Sequence, residues 1–290
     1  MDKRIIKCSS VLGYCMGVKR AVEATIKATK DYPNSNIYTF GELIHNPVTL
    51  KMLEKLKVKI IDEDDLLNDK IKKNDIVVIR AHGITPKILS KLKEKEVILI
   101  DCTCPRVVSN RCLAQKQSEV STIILVGDKN HPELISIQGY VLENKNTNCI
   151  IIQNEEEAKE IEILKENENF SLIAQTTIKR KELLIIQSIL QKKIKNLKVF
   201  NTICSATFER QKALKNLIGE VEAIVIIGGK NSANTKRLYI SAKESGKPTF
   251  FIEKSSELTK EIYSYKTIGL ASGASTPDET INEVYNLLNT

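Results

Sequence analysis

Short runs of β-branched and aliphatic residues alternate along almost the whole chain with longer stretches in which apolar residues recur every three or four positions. The runs predict strands at Arg4 to Cys8, Ile37 to Phe40, Val58 to Ile61, Ile76 to Ile79, Val97 to Ile100, Thr122 to Val126, Cys149 to Ile152, Phe170 to Ala174, Val199 to Thr202, Ala223 to Ile227, Thr249 to Ile252 and Thr267 to Leu270. The amphipathic stretches, among them Val18 to Lys30, Leu50 to Leu56, Ile88 to Lys93, Val107 to Gln117, Lys181 to Ile194, Phe208 to Leu217 and Ile281 to Leu288, predict helices. Strands alternating with helices are the mark of βαβ units, so the fold class is α/β with mostly parallel sheets. No Pro/Gly/Ser-rich linker divides the chain, and domain limits must follow from repetition. Three segments run strand, cysteine, then a helix carrying an Arg: Gly13-Tyr14-Cys15 before Arg20, Asp101-Cys102-Thr103-Cys104 before Arg106 and Arg111, and Asn201-Thr202-Ile203-Cys204 before Arg210. Cys15, Cys104 and Cys204 stand 89 and 100 residues apart, each interval the size of a small domain. The expected organisation is three similar α/β domains, 14–100 carrying Cys15, 101–200 carrying Cys104, and 201–290 plus 1–13 carrying Cys204.

Composition narrows the class. Of 290 residues 42% are hydrophobic and 28% charged, and no apolar run is longer than Ala223 to Gly229, which excludes a membrane-spanning helix, disorder and collagen. Seven cysteines, an odd number spread widely, suit a reducing cytosol better than a disulfide framework. Met1 to Arg20 has charges on both sides of a short apolar segment and carries no targeting signal, so a cytoplasmic location is expected. The net charge of +8 comes from lysines scattered along amphipathic segments, and aromatics are only 5%, so nucleic acid is not the expected partner. A mildly basic surface suits an acidic protein partner or a phosphorylated substrate.

The scarce residues carry the chemistry. In parallel α/β sheets ligands bind beyond the carboxyl ends of strands, and all three histidines fall at such junctions: His45 in Gly41-Glu42-Leu43-Ile44-His45-Asn46-Pro47, His82 in Arg80-Ala81-His82-Gly83, and His131 in His131-Pro132-Glu133. Five of the seven prolines follow a candidate reactive residue by one to four positions: Pro47, Pro86, Pro105, Pro132 and Pro277. Proline favours the first position of a helix, which places these candidates at helix N-termini. Eight of the twelve glycines lie in or beside the same junctions.

Three cysteines at helix N-termini, one per repeat, converge on one point if the repeats pack about a pseudo-threefold axis, and helix dipoles there favour thiolates. The close C-x-x-C pairs of zinc sites and ferredoxins are absent. Three thiolates without a fourth suit a [4Fe-4S] cluster that leaves one iron open for substrate, as Lewis acid and electron conduit. Spacing leaves Cys102 and Cys104 undecided as the middle ligand, and Cys8, Cys112 and Cys149 read as small buried hydrophobes. Ile227-Gly228-Gly229-Lys230-Asn231-Ser232-Ala233-Asn234 is a glycine-containing strand end entering a helix, a form that cradles phosphate. Ser275, in Ala271-Ser272-Gly273-Ala274-Ser275-Thr276-Pro277-Asp278-Glu279, stands at another helix start, where an ordinary capping arrangement is the plainer reading. Gln175-Thr176-Thr177 adds hydroxyls, and the histidines add charge and directional donors for a diphosphate. Glu133 is the candidate proton donor, with stabilisation of a helix N-terminus as its alternative role.

Taken in order, Gly13-Tyr14-Cys15-Met16-Gly17-Val18, His45-Asn46-Pro47, Ala81-His82-Gly83, Thr103-Cys104-Pro105, His131-Pro132-Glu133, Gln175-Thr176-Thr177, Thr202 to Thr207 with Arg210-Gln211, Asn231 to Asn234 with Arg237-Leu238, and Gly273-Ala274-Ser275 resemble the LytB/IspH family of 4-hydroxy-3-methylbut-2-enyl diphosphate reductases. The resemblance implies three α/β domains around a central cavity, with one [4Fe-4S] cluster per chain on Cys15, Cys104 and Cys204 and one iron open. It implies that His45, His82, His131, Ser232, Ala233, Asn234 and Ser275 bind an allylic diphosphate, and that Thr176, or Thr177 beside it, and Glu133 handle the substrate hydroxyl and its protons. A two-electron, two-proton reductive dehydroxylation to isopentenyl and dimethylallyl diphosphate follows, with reduced ferredoxin or flavodoxin as electron donor. Two positions depart from the family pattern. Ala233 stands where a second Ser is frequent and leaves only a backbone N–H to phosphate. Cys102 replaces a small residue and brings another thiol near the cluster, with consequences for oxidative lability. A quinolinate synthase-like three-Cys lyase shares the architecture but lacks the His-Pro-Glu and Ala-His-Gly motifs, and a non-catalytic iron-sulfur sensor needs no diphosphate pocket.

Overall fold

The computed structural model describes residues 4–162 and 169–290. Residues 1–3, which open both the N-terminal stretch read above and the expected third domain, and residues 163–168 of the expected second lie outside the described residues.

The elements repeat in a fixed order. β1 (Ile5–Cys8) and α1 (Met16–Asp31) are followed by β2 (Ile37–Phe40), α2 (Pro47–Lys55), β3 (Val58–Ile61), α3 (Glu63–Leu67), β4 (Ile76–Ile79), α4 (Pro86–Glu94), β5 (Ile98–Asp101) and α5 (Pro105–Ser118). The next block is β6 (Thr122–Val126), α6 (Pro132–Val141), β7 (Cys149–Ile152), α7 (Glu155–Glu160), β8 (Phe170–Ala174), α8 (Arg180–Lys193), β9 (Leu197–Phe200) and α9 (Ser205–Ile218). The last comprises β10 (Ala223–Ile227), α10 (Ala233–Lys243), β11 (Thr249–Ile252), two short 3-10 turns, β12 (Thr267–Ser272) and α11 (Asp278–Asn289).

Three four-stranded sheets result, ordered β3-β2-β4-β5, β7-β6-β8-β9 and β11-β10-β12-β1. Numbering the strands of each sheet by their place in the block, all three have the order 2-1-3-4, with β1 serving as the fourth strand beside β12. The ladders run parallel, for example Thr122 with Phe170, Val78 with Ile100 and Ile5 with Thr267. The two middle strands of each sheet, β2 with β4, β6 with β8 and β10 with β12, are buried along essentially their whole length. Helices cover both faces of a parallel sheet, so its inner strands read as continuous apolar runs, and this is why the sequence marks them sharply.

The described residues group into two compact units, one of Met1–Asp31, Glu42–Lys59 and Ser205–Thr290, the other of Tyr32–Gly41 and Ile60–Cys204. In the first, Val225, Ile227, Ile268, Leu270 and Val284 form one core layer, and Leu214, Leu217, Ile224, Ile226 and Leu238 another. In the second, Tyr38, Phe40, Val77, Ile79 and Leu92 form the core beside the β2–β5 sheet. Layers built on Ile124, Val126, Leu172 and Leu190, and on Ala114, Ile123, Leu125, Leu134 and Ile137, cover the two faces of the β6–β9 sheet. Among the described residues no helix is long and apolar enough to cross a membrane.

Proline punctuation largely follows expectation. Pro47, Pro86, Pro105 and Pro132 begin α2, α4, α5 and α6, behind the N-caps Asn46, Thr85, Cys104 and His131. Pro277 differs, being itself the N-cap of α11. β9 ends at Phe200, short of the expected Thr202, because the Thr202 hydroxyl takes the place of a ladder partner: it accepts from Ala174 N and donates to Ala174 O, both at 2.8 Å. Thr202→Val therefore strands both polar groups at the buried end of β8 and is expected to lower unfolding free energy by about 1–3 kcal/mol in urea denaturation; an unchanged midpoint would show that the bond pair contributes nothing.

Candidate functional site

Most candidate residues sit at one of three stations that recur in the blocks, and Glu133, Ala233 and Asn234 follow the first of these in the opening turns of α6 and α10. Five residues past the end of the first strand stand His45, His131 and Ser232. Two residues past the end of the third strand stand Ala81, Thr176 and Ala274, followed by His82, Thr177 and Ser275. Immediately before the helix that leaves the fourth strand stand Cys15, Cys104 and Cys204. In a 2-1-3-4 order the first and third strands are neighbours whose connections depart in opposite directions, which opens a crevice at their carboxyl ends.

The third-strand and fourth-strand stations of each sheet are tied together by one backbone bond. Cys15 N donates to Ala274 O, Cys104 N to Ala81 O and Cys204 N to Thr176 O, each at 2.9 Å. All three cysteines are partly exposed and none is in a disulfide, and each has a helix N-terminus directly behind it.

In the second unit a continuous run of contacts links the candidate residues. Glu133, 1% exposed in the first turn of α6, accepts from Thr176 N at 2.8 Å with one carboxylate oxygen and from Thr176 Oγ1 at 2.6 Å with the other. Its carboxylate is thus engaged by the third-strand turn, beyond its own helix. Its backbone N–H donates to His131 Nδ1 at 3.2 Å. With Nδ1 accepting, a neutral His131 carries its proton on Nε2. The His131 ring meets His82 edge to face, centroids 5.0 Å apart. Thr177 is engaged by Gln175, whose Nε2 donates to its hydroxyl at 3.0 Å while Oε1 accepts from Asp128 N. Of the two neighbouring threonines, Thr176 is the one joined to Glu133.

In the first unit the phosphate-cradle candidates gather around the chain at His45. A Cβ added to Gly229 would lie 2.0 Å from His45 O, so only glycine lets the β10–α10 turn approach that backbone. Ser275, 6% exposed, donates from Oγ to His45 O at 3.4 Å. It does not cap α11, so the plainer capping reading does not hold. Ser232 caps α10, its oxygen accepting from Thr235 N at 3.3 Å, and Ala233 is the first helical residue. Asn234, in the same first turn, is 4% exposed, and its side-chain N and O have no hydrogen-bond partner among the described residues. A buried amide without partners is costly, and this one stands in the first turn of a helix, where exposed backbone N–H groups favour anions. His45 Nδ1 lies 2.9 Å from Glu42 Oε2, a partner that sequence reading missed although it stands three residues away in the same motif. Tyr14, beside Cys15, bonds its hydroxyl to Thr49 Oγ1 at 2.7 Å, and burial raises its pKa.

The remaining cysteines divide. Cys102 is buried in the core at 2% exposure. Cys149 is partly buried, and burial pushes its thiol up to about 12. Cys8 and Cys112, expected to be buried, are exposed: β1 is an edge strand, and Cys112 lies off the buried stripe of α5 that runs through Val107, Asn110, Ala114 and Ser118.

Comparison with known proteins places the chain in a family. The sequence matches the family described as LytB protein over residues 6–289. The chain belongs to the LytB family. Similar members include the 4-hydroxy-3-methylbut-2-enyl diphosphate reductase of Treponema denticola, 51% identical over 97% of both chains, and that of Nitratiruptor sp., 41% identical over 96% of both. The fold is similar to that of the E-1-hydroxy-2-methyl-but-2-enyl-4-diphosphate reductase from Plasmodium falciparum, with a TM-score of 0.90 and 29% identity over 99% of this chain and 89% of that one. It is also similar to a solved (E)-4-hydroxy-3-methyl-but-2-enyl diphosphate reductase, described as the terminal enzyme of the non-mevalonate pathway, with a TM-score of 0.72 and 36% identity over 98% of both chains. The lyase and sensor alternatives find no support among these relatives.

For this LytB-family chain Asn234 separates stability from binding. Asn234→Leu removes an unsatisfied buried amide and is expected to raise the stability of the ligand-free protein by about 1–2 kcal/mol while weakening inorganic diphosphate binding about tenfold. Thermal denaturation and calorimetric titration check the two effects; lower stability with undiminished binding would contradict the assignment.

Proposed function

We propose that this chain is an iron-sulfur reductase that converts (E)-4-hydroxy-3-methylbut-2-enyl diphosphate to isopentenyl and dimethylallyl diphosphate, the last step of the non-mevalonate isoprenoid pathway. The observation that carries the reading is the Glu133–Thr176 contact: a buried carboxylate with both oxygens fixed by one residue, whose own carbonyl holds the Cys204 turn. The reductase name of a relative 51% identical along nearly the whole chain supports it.

Cys15, Cys104 and Cys204 fit a [4Fe-4S] cluster with three protein ligands and one open iron, because they are partly exposed, not in disulfides, and at equivalent stations just before helix N-termini. Cys102, enclosed in the core, is a poorer ligand. When bound, the cluster would supply a one-electron relay through which the external donor's two electrons pass in turn, and a Lewis acid for loss of the substrate oxygen.

The protein residues do the rest. His45, His82 and His131 donate to the diphosphate, joined by the hydroxyls of Ser232 and Ser275, the amide of Asn234 and the backbone N–H of Ala233. The Nε2 proton of His131 suits that task. The Thr176 hydroxyl orients the substrate hydroxyl, and a proton taken up by Glu133 reaches the departing oxygen through it. The C–O bond breaks, water leaves, and a second proton adds at either end of the allyl group. Two electrons and two protons thus convert one allylic alcohol to one of two alkenes plus water. Reduced ferredoxin or flavodoxin, small acidic proteins, suit the +8 chain as electron donors, in the cytoplasm. The common 2-1-3-4 sheet order supports reading 14–100, 101–200 and 201–290 plus 1–13 as three domains of one repeat.

The test is anaerobic turnover with reduced methyl viologen. Substrate-dependent oxidation of the dye is expected for the iron-loaded protein, and its absence would reject the reading. Glu133→Gln should bind substrate yet turn over about 100-fold more slowly or worse; near-normal turnover would remove Glu133 from the proton path.

A further inference from the structure

The side chain six residues past one cysteine holds the carbonyl two residues before the next. Asn110, six past Cys104, donates from Nδ2 to Thr202 O at 3.2 Å, and Thr202 lies two before Cys204. Arg210, six past Cys204, donates from one terminal nitrogen to Gly13 O at 2.6 Å, and Gly13 lies two before Cys15. The same nitrogen reaches Leu12 O at 3.5 Å, and the other terminal nitrogen reaches Ser272 O at 3.3 Å. Both residues are buried, Asn110 at 7% exposure and Arg210 at 3%. The equivalent position after Cys15 is Ala21, which has no donor. The turn at Cys104 is held locally instead: Asp101 Oδ1 accepts from Thr103 N at 2.8 Å and from Thr103 Oγ1 at 2.5 Å.

We infer that Asn110 and Arg210 are positioning residues that fix the turns presenting Cys204 and Cys15 to the iron-sulfur cluster. The inference rests on the ligand set proposed above. A metal ligand keeps its aim only if the groups behind it are fixed, and loss of such support commonly weakens binding by about tenfold or more. A buried arginine and a buried asparagine on the inner faces of α9 and α5 are otherwise costly choices, since both helices pack apolar stripes against neighbouring strands. The charged clamp also bonds more strongly than the neutral one, so Arg210 carries the larger effect.

The test follows iron release from the anaerobically purified, cluster-loaded protein to a ferrous chelator, with iodoacetamide trapping each freed thiol for mass spectrometry. Asn110→Leu is expected to speed iron release about tenfold and to make Cys204 the first of the three ligands alkylated. Arg210→Met is expected to make Cys15 first, and Arg210→Lys to restore much of the wild-type rate by re-forming the bond to Gly13 O. Asn144→Leu is the control: it removes the same kind of bond, Asn144 Nδ2 to Ser118 O at 2.9 Å, at the far end of α5. Its release rate should stay near that of wild type. If Asn110→Leu and Asn144→Leu release iron alike, or if both clamp variants free the same cysteine first, the inference fails. If Arg210→Met does not fold, the Asn110 arm with its control decides. If Cys15 or Cys204 is alkylated in the fully loaded wild-type protein, the failure lies in the ligand assignment itself.

Discussion

Parallel pairing constrains everything else in this molecule. When the strands of a sheet run the same way, all their carboxyl ends lie along one edge, and every strand must be followed by a crossover that begins there. Among the described residues, twelve strands in three sheets of identical order produce three such edges, each with a first-strand turn, a third-strand turn and a fourth-strand turn. The histidines, the serines, Glu133, Asn234, Thr176 and the three cysteines all occupy these turns, and none of them lies inside a strand. Chemistry and folding are thereby separated: the apolar inner strands hold the sheets, and the turns are left to carry polar groups. A single backbone bond of 2.9 Å from each cysteine to the third-strand turn of its own sheet keeps the two kinds of turn in step.

Equivalent stations have been put to different uses. Glu133 and Asn234 both stand seven residues past a first strand, in the opening turn of a helix. Glu133 has both oxygens satisfied by Thr176, a closed arrangement suited to holding and passing a proton. Asn234 has neither amide atom satisfied among the described residues, an open arrangement suited to receiving an anion. Local satisfaction of hydrogen bonds therefore distinguishes the two residues although their places in the fold are equivalent.

Much of this was legible in the sequence because the inner strands are buried on both faces. Eight of the strand limits read from apolar runs coincide with those in the structure, and the prolines after Asn46, Thr85, Cys104 and His131 marked helix starts correctly. The edges were less legible. β9 lies two residues earlier than its β-branched pattern suggests, because a threonine hydroxyl does the work of a backbone partner, and Cys8 is exposed because an edge strand buries less. The cysteine intervals exposed the repeat, but Glu42 beside His45 and the clamps Asn110 and Arg210 were not visible as partners. Such contacts join residues through space, Arg210 to Gly13 across 197 positions of sequence, and no local periodicity encodes them.

On the function proposed above, three turn-borne thiolates, and not the buried thiol beside one of them, hold one cluster. Iron and acid-labile sulfide content of anaerobically purified single variants tests it most directly. Cys15→Ala, Cys104→Ala and Cys204→Ala should each lose most of the about four irons per chain expected of an intact cluster, together with its visible absorption, while Cys102→Ala keeps both. A Cys102→Ala protein without iron beside a fully loaded Cys104→Ala protein would contradict the account.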